Sequence, residues 1–495
     1  MRIIALTLFA VTSLLGATLS AQDADSRPNI LWIMLEDWSA DLSCYGTKGL
    51  HTPNIDQLAA DGQRFTHAFT TSPVCSTSRS AMITGFHQNY IGANQHRTRG
   101  KKPLPHGIKP MPQLLQAAGY YTALMISKKT DCNFTTGGSL FMGKDWKERK
   151  KGQPFFVQVT FEGTHRSWSR DRQRPIDEKN IDLPPYYPDV PMIRRDWANG
   201  LEQAQISDRR VGKLLLRLKD EGLAENTLVF LIGDHGRCMP RGKQFLYDGG
   251  IQIPMIARWP GKLKAGEVRT DMVMAIDITK TILDVAKVTP PHPLHGKNLF
   301  SGDTNDRKYV FAARDKMDST HDSIRAIRSK QFKYMHNLMP DRAYCQFNSY
   351  KETSYPTLAV LNAMHLRGEL NPVQAAFMAA KKPVEELYDL VNDPYETKNL
   401  ATDPAHAATK KTLRTELDKW RKSINDDGPT DEFRSGGWSA KYPTKSLAQW
   451  EAIVKAWEPY VFRKPSEKAS APKGFIAESG IGKKPKKKKK DGKKN

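Results

Sequence analysis

NILWIMLEDW, residues 29 to 38, is an apolar run of strand length, Asn29 to Leu35, that stops abruptly at two carboxylates, Glu36 and Asp37. A strand that is apolar at successive positions is covered on both faces, as in a parallel sheet between helical layers. The same design returns in FFVQVTF (155–161), which is followed by EGTHRS, and in TLVFLIGDHG (227–236). Between these runs TPNIDQLAADG, MPQLLQAAG and QAQISDRRVGKLLLRLKDEG carry apolar residues at three- and four-residue spacing and end in glycine, which predicts helices. The alternation is that of an α/β layer. In such sheets ligands gather beyond the carboxyl ends of the strands, so the polar residues just after each run belong to one candidate site.

The chain has 495 residues, enough for two or three domains. MRIIALTLFAVTSLLGATLSA has one early charge, an apolar stretch from Ile3 to Leu15 and small residues up to Ala21, which reads as an export signal over 1–21. No later segment is apolar for long enough to span a membrane, so the expected location is outside the cytoplasm, periplasmic or secreted. The catalytic α/β domain is expected over 22–320. Near 320 the texture changes: SIRAIRSKQFKYMHNL reads as two short strands joined at Ser329 and Lys330, opening a smaller antiparallel domain over 321–440. TLAVLNAMHLRGEL, PVQAAFMAAKK and HAATKKTLRTELDKWRKSI read as helices packed on that small sheet. A C-terminal extension follows over 441–464, and then a disordered Lys-rich tail over 465–495. Nine lysines and one aspartate at the end account for eight of the formal charges in the net +23, and the body remains basic. Such a protein meets polyanions, but no nucleic-acid-binding motif with interleaved aromatics is present, and nucleic acid is not an expected partner. Five scattered cysteines (44, 75, 132, 238, 345) are too few for a disulfide framework.

Four pieces align in order: EDW at 36–38, CSTSR at 75–79, FEGTH at 161–165, and GDHG at 233–236 followed by RGKQFLYDGGIQIPMI. Together they resemble the formylglycine-dependent sulfatases of the alkaline phosphatase superfamily. The likeness runs from Pro28 to about Ala401, ending in EELYDLVNDPYETKNLA. It implies an alkaline-phosphatase-like, mostly parallel central sheet flanked by helices, with a smaller C-terminal antiparallel-sheet domain. It also implies that Cys75 is converted to formylglycine by a maturation enzyme during export, the hydrated aldehyde being the nucleophile. Thr77 stands where the family motif has proline. Arg79 matches the motif's arginine, beside a helix expected to begin near Ser78. The implied metal ligands are Glu36, Asp37, residue 75, Asp234 and His235. Their oxygens suit calcium, and the His235 imidazole could admit manganese or magnesium. His165 and Lys243 match the sulfate-binding histidine and lysine. In SKKTDCNF (127–134) either Lys128 or Lys129 takes the place of the family's lysine; Lys129 is preferred, which puts Asp131 where the family has a histidine base.

The C-terminal half, above all IRAIRSKQFKYMHNL, looks most like the sulfamidase branch that acts on N-sulfated glucosamine. The expected activity is therefore hydrolysis of sulfate esters or sulfamates on sulfated carbohydrates. A 166–197 loop is expected to roof the pocket, with Arg166, Arg170, His321 and Arg325 contacting substrate. Two rival readings are a phosphonate or phosphate ester hydrolase of the same superfamily, where an Asp-His metal pair also occurs, and an inactive polysaccharide-binding relative. The completeness of the site argues against the second rival.

Overall fold

The computed structural model describes residues 27–437, 442–467 and 470–472. The leader read at 1–21 and most of the lysine-rich tail lie outside the described residues. The central sheet is formed by β1 (Asn29–Leu35), β2 (Gln63–Phe65), β3 (Tyr121–Met125), β4 (Phe155–Phe161), β5 (Thr227–Gly233), β6 (Met255–Arg258) and β7 (Glu267–Arg269), in the order β7-β2-β6-β5-β1-β4-β3. β1 is parallel to both β4 and β5, β3 is parallel to β4, and β6 runs against its neighbours. The three apolar runs are thus adjacent. Leu35 pairs with Phe161 on one side and Gly233 on the other, so three chains leave the sheet side by side.

Alternate residues of these strands feed two cores, which is why the runs are apolar throughout. Leu31, Ile33, Val157, Val159, Val229 and Leu231 face α1 (Pro53–Ala60), and with it the 30-residue helix Pro191–Asp220. Ile30, Trp32, Phe156, Phe230 and Ile232 face the opposite layer. That layer contains α2 (Cys75–Thr84) and α3 (Met111–Ala117) on the near side of the long helix, which is α4, and α5 (Asp277–Val285) beyond it in the chain.

The second sheet joins β8 (Val310–Arg314), β9 (Ile324–Arg328), β10 (Phe332–Asn337) and β11 (Glu385–Asp389), antiparallel and in chain order. The expected hairpin is β9–β10, closed by Ser329 N donating to Phe332 O at 2.8 Å. The first strand of this sheet, β8, lies before the expected boundary at 321. One helix differs from expectation and another agrees with it. α6 (Pro356–Arg367) does not cover the small sheet but packs on α4, whereas α7 (Ala407–Ser423) covers it as expected, with Leu413, Leu417 and Trp420 against Ala313, Ile327 and Tyr334. The 441–464 extension forms α8 (Leu447–Val461), opened by a Ser446–Gln449 capping box and packed on α6 and α4. The tail is held a little further than expected, since Arg172 donates to the carbonyls of Pro465 and Ser466, each at 3.1 Å.

Candidate active site

The loops after β1 and β5 meet at backbone level. Asp37 adopts φ +54° and its N–H donates to Asp234 Oδ1 at 2.8 Å, while Asp234 N–H donates back to Leu35 O at 3.2 Å. Glycine is required here: a Cβ on Gly233 would lie 2.2 Å from Trp38 O, and one on Gly236 2.0 Å from Gly249 O. Glu36, Asp37, Asp234 and His235 are each at most 1% exposed.

α2 starts at Cys75, three residues earlier than expected, with Val74 extended as its cap. Cys75 therefore occupies the positive end of the helix, and every residue of that helix is buried. Its Sγ lies 3.2 Å from His235 Nε2, 3.3 Å from Asp37 Oδ1 and 3.9 Å from Glu36 Oε1. Burial, and after it the Asp37 charge, push the Cys75 thiol well above its ordinary range. Thr77, in the proline position, satisfies its hydroxyl locally at 2.6 Å from Ser72 Oγ and 3.1 Å from Val74 O. Arg79 donates through Nε to Asp234 Oδ2 at 2.9 Å, and its buried Nη2 has no partner among the described residues.

Cations gather on the carboxylates. Lys243 Nζ is 2.6 Å from Asp37 Oδ2 and His165 Nε2 is 3.6 Å from the same oxygen. Burial raises the Asp37 carboxyl, but Lys243, His165 and His235 outweigh it and hold the group well below the usual carboxylate range. Burial alone would lower Lys243; Asp37 and Cys75 prevail and raise it well above the ordinary lysine value. Of the two lysine alternatives, Lys129 pairs with Glu36 while Lys128 is exposed. Asp131 lies 3.7 Å from Lys129, but both its oxygens accept from Arg97, at 3.0 and 2.7 Å. Burial raises the Asp131 carboxyl and Arg97 more than offsets this, so the group is lowered. A carboxylate so engaged positions its cations and is a poor proton acceptor, which argues against its expected role as base.

The donor atoms fit a divalent ion. One oxygen each of Asp37 and Asp234, the Cys75 sulfur and a His235 nitrogen lie within 4.8 Å of one another, a span that one ion among them would bridge, and two of the four are hard carboxylate oxygens. His235 Nδ1 is 2.9 Å from Gly236 O, which leaves Nε2 as the ligand atom. Glu36 joins a second group with Asp37 and His165, on the side that Lys129 occupies.

Several expected substrate contacts are structural instead. Arg166 is 3% exposed in its side chain, paired with Asp196 through two bonds at 2.9 and 2.8 Å and stacked on Trp168 and Tyr355. Arg170 binds Glu202 at 2.7 Å, and Arg325 is buried between Asp315 and Asp426. His321 stacks on Phe433 beneath Gly436 and Gly437, away from the cavity that reaches Glu36. The supposed 166–197 loop becomes helix from Pro191. Sequence reading missed Arg97, Tyr350 (3.3 Å from His165 Nε2) and Cys238 (Sγ 2.7 Å from Asp37 Oδ2). Only Cys238 had a local signal, three residues after His235. All five cysteines are free. The cavity has a volume of about 420 Å³ and includes Glu36, Arg97, Lys129 and His165 in its lining.

The sequence matches the Sulfatase family profile over residues 28–143 and 140–288, and the profile of the N-sulphoglucosamine sulphohydrolase C-terminal region over 233–352. An ulvan-active sulfatase of Formosa agariphila is 32% identical over 468 residues, covering 83% of this chain and 78% of the relative. The human N-sulphoglucosamine sulphohydrolase is 26% identical over 470 residues, covering 81% and 91%. Among solved structures, BT4656 in complex with its substrate D-glucosamine-2-N,6-O-disulfate has the same fold, with a TM-score of 0.60 at 18% identity over 83% of this chain and all of that one. The profile, which takes in more than half the chain, spans the strand ends that converge on Cys75, and the ulvan-active relative is 32% identical across 83% of the chain; on that agreement the chain belongs to the sulfatase family of sulfuric ester hydrolases.

Proposed function

We propose that this sulfatase acts, after export, on sulfate esters or sulfamates of sulfated carbohydrates, with Cys75 matured to formylglycine and a divalent ion, calcium before manganese or magnesium, held by Glu36, Asp37, residue 75, Asp234 and His235. The observation that carries the reading is the placement of Cys75 at a buried helix start, within 3.3 Å of both Asp37 and His235. When present, the hydrated aldehyde supplies a hydroxyl nucleophile and the ion supplies Lewis acidity to it. Arg79 holds the Asp234 carboxylate and adds fixed positive charge beside residue 75. Lys243, kept protonated by Asp37, holds the negative charge that develops on the sulfuryl oxygens. His165 Nδ1 lies 2.6 Å from Arg166 O, which turns Nε2 toward Asp37; burial holds the imidazole below the usual histidine value against the Asp37 charge, and in its protonated form it would deliver a proton to the leaving oxygen. The carbohydrate class rests on the named substrates of the relatives and on the polar, cation-lined cavity.

The test is sulfate release by the exported protein from sulfated saccharides, an aryl sulfate and an aryl phosphate, each with a Cys75→Ala control. Saccharide sulfate turnover that the control lacks and that chelation removes supports the reading. Preferential release of phosphate would support the phosphate or phosphonate ester alternative, which the Asp234–His235 pair keeps in view.

A further inference from the structure

The cavity has a wall that the reaction above does not use. It comes from α4, through Gln203 and Arg210, which are seven residues apart and so share one helix face. Both reach the turn that carries His165: a Cβ on Gly163 would lie 2.7 Å from Gln203 Nε2 and 3.5 Å from Arg210 Nη1. Gln203 is 3% exposed, and its Oε1 accepts from Ser169 N at 2.9 Å, which fixes the amide with Nε2 as a donor that has no acceptor among the described residues. Arg210 is exposed and pairs with no carboxylate among the described residues. The other cations of the cavity are engaged, Arg97 by Asp131, Lys129 by Glu36 and Arg166 by Asp196.

An uncommitted guanidinium and a held amide donor on one wall of the same cavity offer N–H groups to an oxyanion. The sulfate to be cleaved is already met by Arg79, His165 and Lys243. We infer that Gln203 and Arg210 form a subsite for a second anionic group of the substrate, a carboxylate or a further sulfate beyond the one removed. This rests on the proposed carbohydrate substrate and narrows it to saccharides with at least two charges. It also moves the substrate contact expected of Arg166, Arg170 and Arg325, which are spent on buried partners, to Arg210.

The test compares wild type with Arg210→Gln and Gln203→Leu on three disaccharides that share one sulfate: one otherwise neutral, one with a uronic carboxylate and one with a second sulfate. The expected result is that Arg210→Gln lowers kcat/KM on the doubly charged compounds by about tenfold more than on the neutral one, mainly through KM, as for loss of a charged hydrogen bond. Partial recovery in Arg210→Lys is also expected. The carboxylate and second-sulfate arms identify which anion the subsite prefers. Equal losses on all three compounds, or none, would overturn the inference. If none is turned over, the carbohydrate reading fails by itself, and calorimetric binding of the same three compounds then decides. Tighter binding of the doubly charged pair by wild type than by Arg210→Gln supports the subsite, and equal binding rejects it.

Discussion

Lys243 and Arg166 are both buried cations on a carboxylate, yet they belong to different machinery. Lys243 is 2.6 Å from Asp37, within the group around Cys75. Lys243→Ala is expected to lower kcat by about a hundredfold to a thousandfold, as for loss of one transition-state donor, measured by sulfate release. Arg166 lines the same cavity but spends its guanidinium on Asp196, which is fully buried and also accepts from Thr357 at 2.7 Å. Arg166→Ala leaves that carboxylate uncompensated and is expected to cost about 3–5 kcal/mol of stability, read from the denaturant midpoint. A substrate-contact role would require KM to rise at unchanged stability. Sequence alone could not separate these two residues, because it shows a charge and not the partner that consumes it: Asp196 lies thirty positions after Arg166, one turn into a helix that had been read as loop.

The strand ends, in contrast, were legible. A parallel strand covered on both sides has no polar position until it leaves the sheet, so the first carboxylates after NILWIML and TLVFLIG had to lie at its carboxyl edge. What hydropathy could not convey is how tightly the β5 exit packs on the turn at 249–250. Gly236 donates its N–H to Gly250 O at 2.8 Å, and a Cβ there would lie 2.0 Å from Gly249 O and 2.6 Å from Gly250 Cα. Gly236→Ala must shift backbone on one side, with an expected cost of about 1–3 kcal/mol and a loss of activity, because His235 moves with it. Gly100→Ala, with nothing within 4 Å, is the control and is expected to change stability by less than about 0.5 kcal/mol. Helix α6 departs from its expected place for a related reason. Amphipathic periodicity tells that α6 has a partner but not which one, and the apolar surface of α4 and α8 takes it in place of the small sheet.

The catalytic layer and the small sheet meet around His87, whose ring lies 5.5 Å from His295 and 5.1 Å, edge-on, from Trp420 of α7, with the Arg307 charge nearby. Burial, then His295 and Arg307, hold His87 well below the usual histidine value, and burial holds His295 at about 4. The folded state therefore binds fewer protons than the unfolded chain. Stability from this junction is present above the ordinary histidine value near 6.5 and is lost as pH falls from there toward about 4. The melting temperature is expected to drop between pH 7 and pH 4.5, and His87→Phe to flatten that slope; a slope unchanged by the substitution would place the sensitivity elsewhere. For the molecule as a whole, the claim that joins fold, site and activity is that Cys75 is a precursor and not itself the reacting thiol. The most direct measurement is mass spectrometry of the tryptic peptide 65–79 from active, exported protein, in step with its specific activity. The account predicts an aldehyde in place of the Cys75 thiol, in a fraction that rises with activity across preparations; full activity with the thiol intact would contradict it.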